Sequence, residues 1–159
     1  MDSFGQAFAC IIGHEGGLTM NPADPGNWTG GSPGAGQCRG TKYGISAHAY
    51  PDRDIANLSL DDAQAIYRQD YWDRVGAGGL PAPLGLLVFD AAVNNGVARA
   101  SQWLTAAQKQ APNTTGAEIC AEFQAQRLTF MAALPTWKRF GLGWARRLCR
   151  LPYESLTMT

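Results

Sequence analysis

From Leu84 to Asn95 the chain reads LGLLVFDAAVNN, and wound as a helix this stretch is apolar on nearly every side. A helix without a polar face has to be enclosed by other elements. The pattern therefore predicts a central buried helix with the rest of the fold assembled around it. Asp90, Asn94 and Asn95 interrupt it at one to two turns' spacing. Burying such groups unpaired costs on the order of 1–3 kcal/mol each, so they are expected either to pair inside the core or to form the floor of a cleft. Asn94 and Asn95 are the candidates for facing a substrate.

The enclosing helices show in the period of apolar residues. Phe4, Phe8, Ile11 and Ile12 lie on one face of a helix that runs toward His14 and Glu15 and stops at Gly16-Gly17. Ser59 reads as an N-cap, with Asp61 and Asp62 in the first turn, for a helix through Ala63, Ile66, Tyr67, Tyr71 and Trp72. Further helices are expected from Ala98 to Lys109 and from Ala117 to Leu134, where Pro135 closes the second. A last one holds Phe140, Leu142, Trp144 and Leu148, and Trp72, Trp103 and Trp144 fall in helical patterns as core residues. Thr41 to Ser46 mixes β-formers with a glycine and predicts a short extended segment leading into a helix near Ala47. The sum is six or seven helices with one small extended region: a mainly α fold, packed as one compact unit from a lobe over residues 1–95 and a helical lobe over 96–159, with a cleft between them.

One segment fits none of these patterns. Residues 18–40 carry six glycines between Gly26 and Gly40, together with prolines, asparagines and hydroxyl side chains, and cannot propagate a helix. A loop of this length is uncommon unless it has a function.

Composition narrows the function classes. The 159 residues are 45% hydrophobic, and a chain of this size can bury roughly 68–70% of its unfolded surface without metal or disulfide support. Thirteen basic and thirteen acidic side chains give a net charge of zero, which argues against non-specific nucleic-acid binding as the main task. The charge is bipolar, at −5 over residues 1–95 and +5 over 96–159. The basic half is either a solvated helix face or a means of settling on an anionic polymer or surface. The N-terminal MDSFGQAFACIIGHEGG has no cationic start or small-residue cleavage site, and no stretch reaches the ~18 apolar residues of a membrane span. The expectation is a chain made in the cytoplasm without a signal peptide and not inserted in a membrane. Cys10, Cys38, Cys120 and Cys149 form no CxxC pair and the chain has two histidines, so no metal site is expected and free thiols are the default.

Few residues are placed to do chemistry. Glu15 is the only glutamate before Glu118 and follows an apolar helix face directly. Partial desolvation there would raise its pKa and let it hold a proton as a general acid; the plain alternative is a solvated helix-end residue. Asp24, in NPADPGNW, is the only acid between Glu15 and Asp52. It is either a turn-forming side chain or the second of the two carboxylates that glycosidic cleavage uses, one protonating the leaving oxygen and the other activating water or steadying the cation. Thr41, Tyr43 and Ser46 crowd hydroxyls around Gly44, where they satisfy the backbone or hold water or a sugar. Trp28, in the glycine-rich loop, is the aromatic least explained by a core and the best placed to pack on the flat face of a sugar ring.

HEGGL, NPADPGN, GTKYGIS, IYRQDYW, LLVFDAAVNNG and ASQWLTAAQ occur in this order. Together they resemble glycoside hydrolase family 108, the N-acetylmuramidases of phage endolysins and some secreted bacterial effectors. The stretch RLTFMAALPTWKRFGLGWARRLCR is similar to the peptidoglycan-binding segment that follows in that family. The resemblance implies a lysozyme-like helical fold, Glu15 as catalytic acid, and hydrolysis of the β-1,4 bond between N-acetylmuramic acid and N-acetylglucosamine. The Glu15-to-Asp24 spacing and Thr41 before Tyr43-Gly44-Ile45 are also similar to phage-type lysozymes, which makes Asp24 or Thr41 the helper of Glu15. Leu18 stands where the family usually has tyrosine, and the loop between Asp24 and Thr41 is long. The expectation is a monomer that needs no cofactor, acts on bacterial peptidoglycan and is released to the wall by a holin or secretion system. The rival readings are a lytic transglycosylase acting on the same bond and a non-catalytic wall-binding module.

Overall fold

The structure, a computed structural model, describes residues 3–12, 17–110 and 116–156, without the side chains of residues 155 and 156. Among the described residues there are six α-helices: α1 (Ser3–Ile12), α2 (Leu60–Tyr67), α3 (Ala82–Asn95), α4 (Val97–Gln110), α5 (Gly116–Ala132) and α6 (Trp137–Leu156). One antiparallel pair, β1 (Thr41–Lys42) and β2 (Ile45–Ser46), completes a mainly α, lysozyme-like architecture. The chain forms two compact units, Met1–Ala7 with Arg68–Thr159, and Phe8–Tyr67. The border falls after Tyr67 and not after Asn95 as the sequence suggested, because α3 packs against α4, α5 and α6 and so belongs with the C-terminal helices.

In the larger unit, α3 is the enclosed helix its composition requires, with Leu84 through Ala92 all buried. Pro83 sits in its first turn, where no intrahelical N–H is needed, and Gly96 (φ 91°) ends it. Gly85 allows close approach: a Cβ there would lie 2.9 Å from the Ala77 carbonyl oxygen. Phe4, Trp72 and Phe89 form an edge-packed trio with ring centroids 5.3–5.9 Å apart. Trp72 arrives there through a wide π turn, Arg68–Trp72, where the sequence pattern suggested an unbroken α-helix from Ser59.

Trp103 is half-buried between Phe123 and Phe130. Trp144, expected in the core, is half-buried, stacked with Phe140 and tilted against Trp137 on its own helix, the i, i+3 and i+7 spacing from Trp137 forming an aromatic face on α6. Pro152 lies inside α6. It cannot donate to the carbonyl of Leu148, and the amide of Gln124 on α5 does so in its place at 3.0 Å.

In the unit Phe8–Tyr67, Phe8, Ile45, Ile55, Leu58, Ile66 and Tyr67 are buried, with the Phe8 and Tyr67 rings edge to face at 5.5 Å. Ser59 caps α2 reciprocally: its hydroxyl accepts from the Asp62 N–H at 3.1 Å, and its own N–H donates to the Asp62 carboxylate at 3.0 Å. The helix expected near Ala47 is a single turn. Tyr50 N–H bonds the Ser46 carbonyl at 3.1 Å, and Pro51 follows and stops it. No helix among the described residues is long and apolar enough to cross a membrane.

Candidate active site

The glycine-rich segment is ordered around one buried side chain. Asp24 caps the short 3-10 turn Pro25–Asn27, its Oδ1 accepting from the Gly26 N–H at 2.9 Å, and Pro25 presets the first turn residue. The turn delivers Asn27 into the interior at zero exposure. There its Nδ2 donates to the Asn21 carbonyl at 3.0 Å, its Oδ1 accepts from the Thr41 hydroxyl at 2.7 Å, and its own carbonyl accepts from the N–H groups of Arg39 and Gly40. Every polar group of Asn27 that enters the interior is thereby matched, as burial requires.

Thr41 is held from a second side. Its N–H and carbonyl exchange bonds with Thr19 at 2.9 and 2.8 Å, a two-residue bridge to the stretch that follows the Glu-Gly-Gly motif. Gly40 has to be glycine: φ is 82° and a Cβ would stand 2.5 Å from the Thr19 carbonyl oxygen. A second bridge joins Trp28 to Cys38. The Trp28 indole N–H donates to the Pro22 carbonyl at 2.9 Å, which anchors a half-buried ring on the loop.

After Thr41 the chain turns back through Tyr43 (φ 52°) and Gly44 (φ 75°), with Lys42 opposite Ile45. Two consecutive positive φ values make a type I′ hairpin turn, the kind whose twist matches antiparallel strands. The Tyr67 hydroxyl donates to the Tyr43 carbonyl at 3.1 Å and lies 2.6 Å from where a Cβ on residue 44 would be. The Lys42 ammonium is 5.4 Å from the Tyr43 ring centre and donates to the Ala56 carbonyl.

Of the residues singled out in the sequence, Asp24, Trp28, Thr41 and Tyr43 are thus gathered in one hydrogen-bonded unit. Asp24 is exposed and uses one carboxylate oxygen as a cap, leaving the other without a hydrogen bond from the described residues. Glu15 lies outside the described residues. Asn94 and Asn95 belong to the other unit, where they serve the buried ions of α3. The Asn94 amide donates to the Asp90 carbonyl at 2.8 Å, and Asn95 Oδ1 accepts from Arg127 Nε at 2.9 Å. Arg127, 1% exposed at its side chain, ion-pairs with Asp90 at 2.7 Å. Arg147 bonds the other Asp90 oxygen. Burial pushes the Arg127 pKa down, and Asp90 pulls it up.

Asn27 escaped the sequence reading. An asparagine after Pro-Gly reads as a surface turn residue, and only its burial reveals the role.

A cavity of about 660 Å³ on the larger unit is lined by residues including Pro81, Leu84, Leu87, Cys120 and Tyr153, with no carboxyl group or histidine in its lining among the described residues. Burial pushes the Cys120 thiol up, and all four cysteines are free thiols. No group of three metal-ligating side chains occurs among the described residues.

A family model described as Glycosyl hydrolase 108 matches residues 8–96. The chain is similar to the solved structure of SagA from Brucella abortus, with a TM-score of 0.76 and 26% identity over 98% of this chain and 95% of that one. No curated protein matches it.

Proposed function

Because this chain belongs to the glycosyl hydrolase 108 family, we propose that it is a muramidase that hydrolyses the β-1,4 bond between N-acetylmuramic acid and N-acetylglucosamine in bacterial peptidoglycan. In this reading Glu15 protonates the leaving oxygen. The Asp24 carboxylate and the Thr41 hydroxyl act on the opposite requirement, holding the attacking water and steadying the oxocarbenium-like cation. Trp28 and Tyr43 offer ring faces to the sugars. The observation that carries the reading is the family match over residues 8–96, which spans Glu15, Asp24 and Thr41. It is supported by the shared network that fixes Asp24 and Thr41 through Asn27.

The test is mass spectrometry of the soluble muropeptides released from purified sacculi by wild type and Glu15→Gln. The glutamine keeps the shape of the side chain and cannot donate an acid proton. Loss of roughly 10²–10⁴-fold in rate is expected, with wild-type products ending in reducing N-acetylmuramic acid. Products ending in 1,6-anhydro sugars would replace hydrolysis by attack of the sugar's own hydroxyl. A folded Glu15→Gln protein that lyses sacculi at the wild-type rate would overturn the assignment.

A further inference from the structure

We propose that Asn27 is a positioning residue that commits the Thr41 hydroxyl to a single orientation, so that Thr41 meets the attacking water only as a hydrogen-bond acceptor. The inference rests on the muramidase reading and adds a direction to the water's hydrogen bond.

The orientation follows from what each partner is able to do. The Asn21 carbonyl has lone pairs and no proton, so the Asn27 atom 3.0 Å from it has to be the amide nitrogen. That leaves Asn27 Oδ1 facing Thr41 at 2.7 Å. An amide oxygen only accepts, so the Thr41 hydroxyl has to donate inward. With its one proton used, the Thr41 oxygen presents only lone pairs to anything else that approaches. A water bound there donates one hydrogen to Thr41 and is left with its own oxygen lone pair directed away from the threonine, the arrangement an attack on an anomeric carbon requires. Were the hydroxyl free to rotate, it would donate to the water in a share of its orientations and tie up that lone pair.

Asn27 is fully buried, and its carbonyl accepts from the N–H groups of Arg39 and Gly40 on the two residues leading into Thr41. One residue thereby sets both the position of the Thr41 backbone and the direction of its hydroxyl proton.

The experiment measures kcat, KM and melting temperature of the full chain on solubilised peptidoglycan fragments. The variants are Asn27→Leu, Thr41→Val, Thr41→Ser, the Asn27→Leu/Thr41→Val pair and, as control, Glu15→Gln. Asn27→Leu and Thr41→Val are each expected to lower kcat about tenfold or more, since misplacing a reacting group by 1 Å costs up to ~10²-fold, and to leave KM unchanged. The pair is expected to be no slower than Thr41→Val alone, and Thr41→Ser is expected to keep most of the rate.

Losses that multiply in the pair, or an Asn27→Leu enzyme of wild-type kcat, would overturn the inference. Should Asn27→Leu fail to fold, Asn27→Asp keeps the acceptor for Thr41 and gives up the bond to Asn21. It is expected to melt lower with kcat within about threefold of wild type, and a kcat that falls well beyond that would overturn the role. Glu15→Gln separates the two failures. If it is inactive while Asn27→Leu is not, only this inference falls; if it is active, the muramidase reading falls first.

Discussion

The amide of Gln124 donates to the Leu148 carbonyl at 3.0 Å, and that carbonyl is the one Pro152 leaves without its partner in α6. A neighbouring helix thus repairs the hydrogen bond that a proline removed. Gln124→Leu should strand the half-buried carbonyl and lower stability by about 1–3 kcal/mol. Pro152→Ala in the same background restores an N–H four residues on and should recover part of the loss. Urea unfolding of the wild type, the single and the double variant measures this, and equal midpoints for all three would show that the bond contributes nothing.

Arg127 and Asp90 form the deepest ionic contact described, at 2.7 Å with both side chains out of solvent. Arg127→Met leaves Asp90 buried with only Arg147 to neutralise it, and a broken buried pair costs roughly 3–5 kcal/mol. Arg147→Gln should cost less, since its side chain is 40% exposed and water can replace part of what is lost. The ranking is read from chemical denaturation of the two variants side by side; a larger loss for Arg147→Gln would contradict it.

Asp24 separates cap from catalyst cleanly. Asparagine at 24 still offers Oδ1 to the Gly26 N–H, so the turn Pro25–Asn27 should survive and the melting temperature should hold. A helper carboxylate lost in this way should slow sacculus lysis by about 10²-fold. Wild-type lysis by Asp24→Asn would reduce Asp24 to its role as a cap and leave Thr41 alone to hold the water.

The basic half of the molecule divides into bound and exposed arginines. Arg147 is spent on Asp90, while Arg146 and Arg150 are exposed on α6. Exposed charges act over about 8 Å at physiological salt. Arg146→Gln/Arg150→Gln should therefore weaken adsorption to sacculi and flatten its salt dependence without lowering the melting temperature. A pull-down at two salt concentrations beside a melting curve checks both parts, and unchanged adsorption would leave the charge asymmetry without a role in wall binding.

Asp62 should titrate below the usual carboxylate range, because the Ser59 side chain and backbone bond its charged form. A depressed folded-state pKa contributes stability that is fully present above the unfolded value and is lost as the pH falls through the folded one. The α2 cap should accordingly loosen only in strong acid. An NMR titration should show the shift in wild type and most of it gone in Ser59→Ala; an unchanged value in that variant would assign the shift to some other group.

The helices were legible because their signals are local. Phe4 and Phe8, the Ser59 cap and the apolar run from Leu84 each occupy consecutive turns, and a period of 3.6 residues needs no distant partner to be seen. The signals failed where a distant group decided the outcome. Trp144 has the helical spacing of a core residue, yet it stacks with Phe140 and tilts against Trp137 on its own helix. Asn94 and Asn95 were candidates for substrate contact because polar groups in an apolar helix need partners. The sequence could not say that Arg127, 32 residues beyond Asn95, is one of them.

What the sequence alone determined was the set of helices, the long interruption between the first two, and the family, through ordered motifs that include Glu15, Asp24 and Thr41. What only the tertiary structure decided was which of these side chains share a network. Asn27 looks like any turn asparagine in the chain; folding buries it completely between the Asn21 carbonyl and the Thr41 hydroxyl, fourteen residues away in sequence. Periodicity and capping are written in neighbouring residues. The direction of a buried hydrogen bond depends on the donors and acceptors brought together by the whole fold, and no local stretch contains that information.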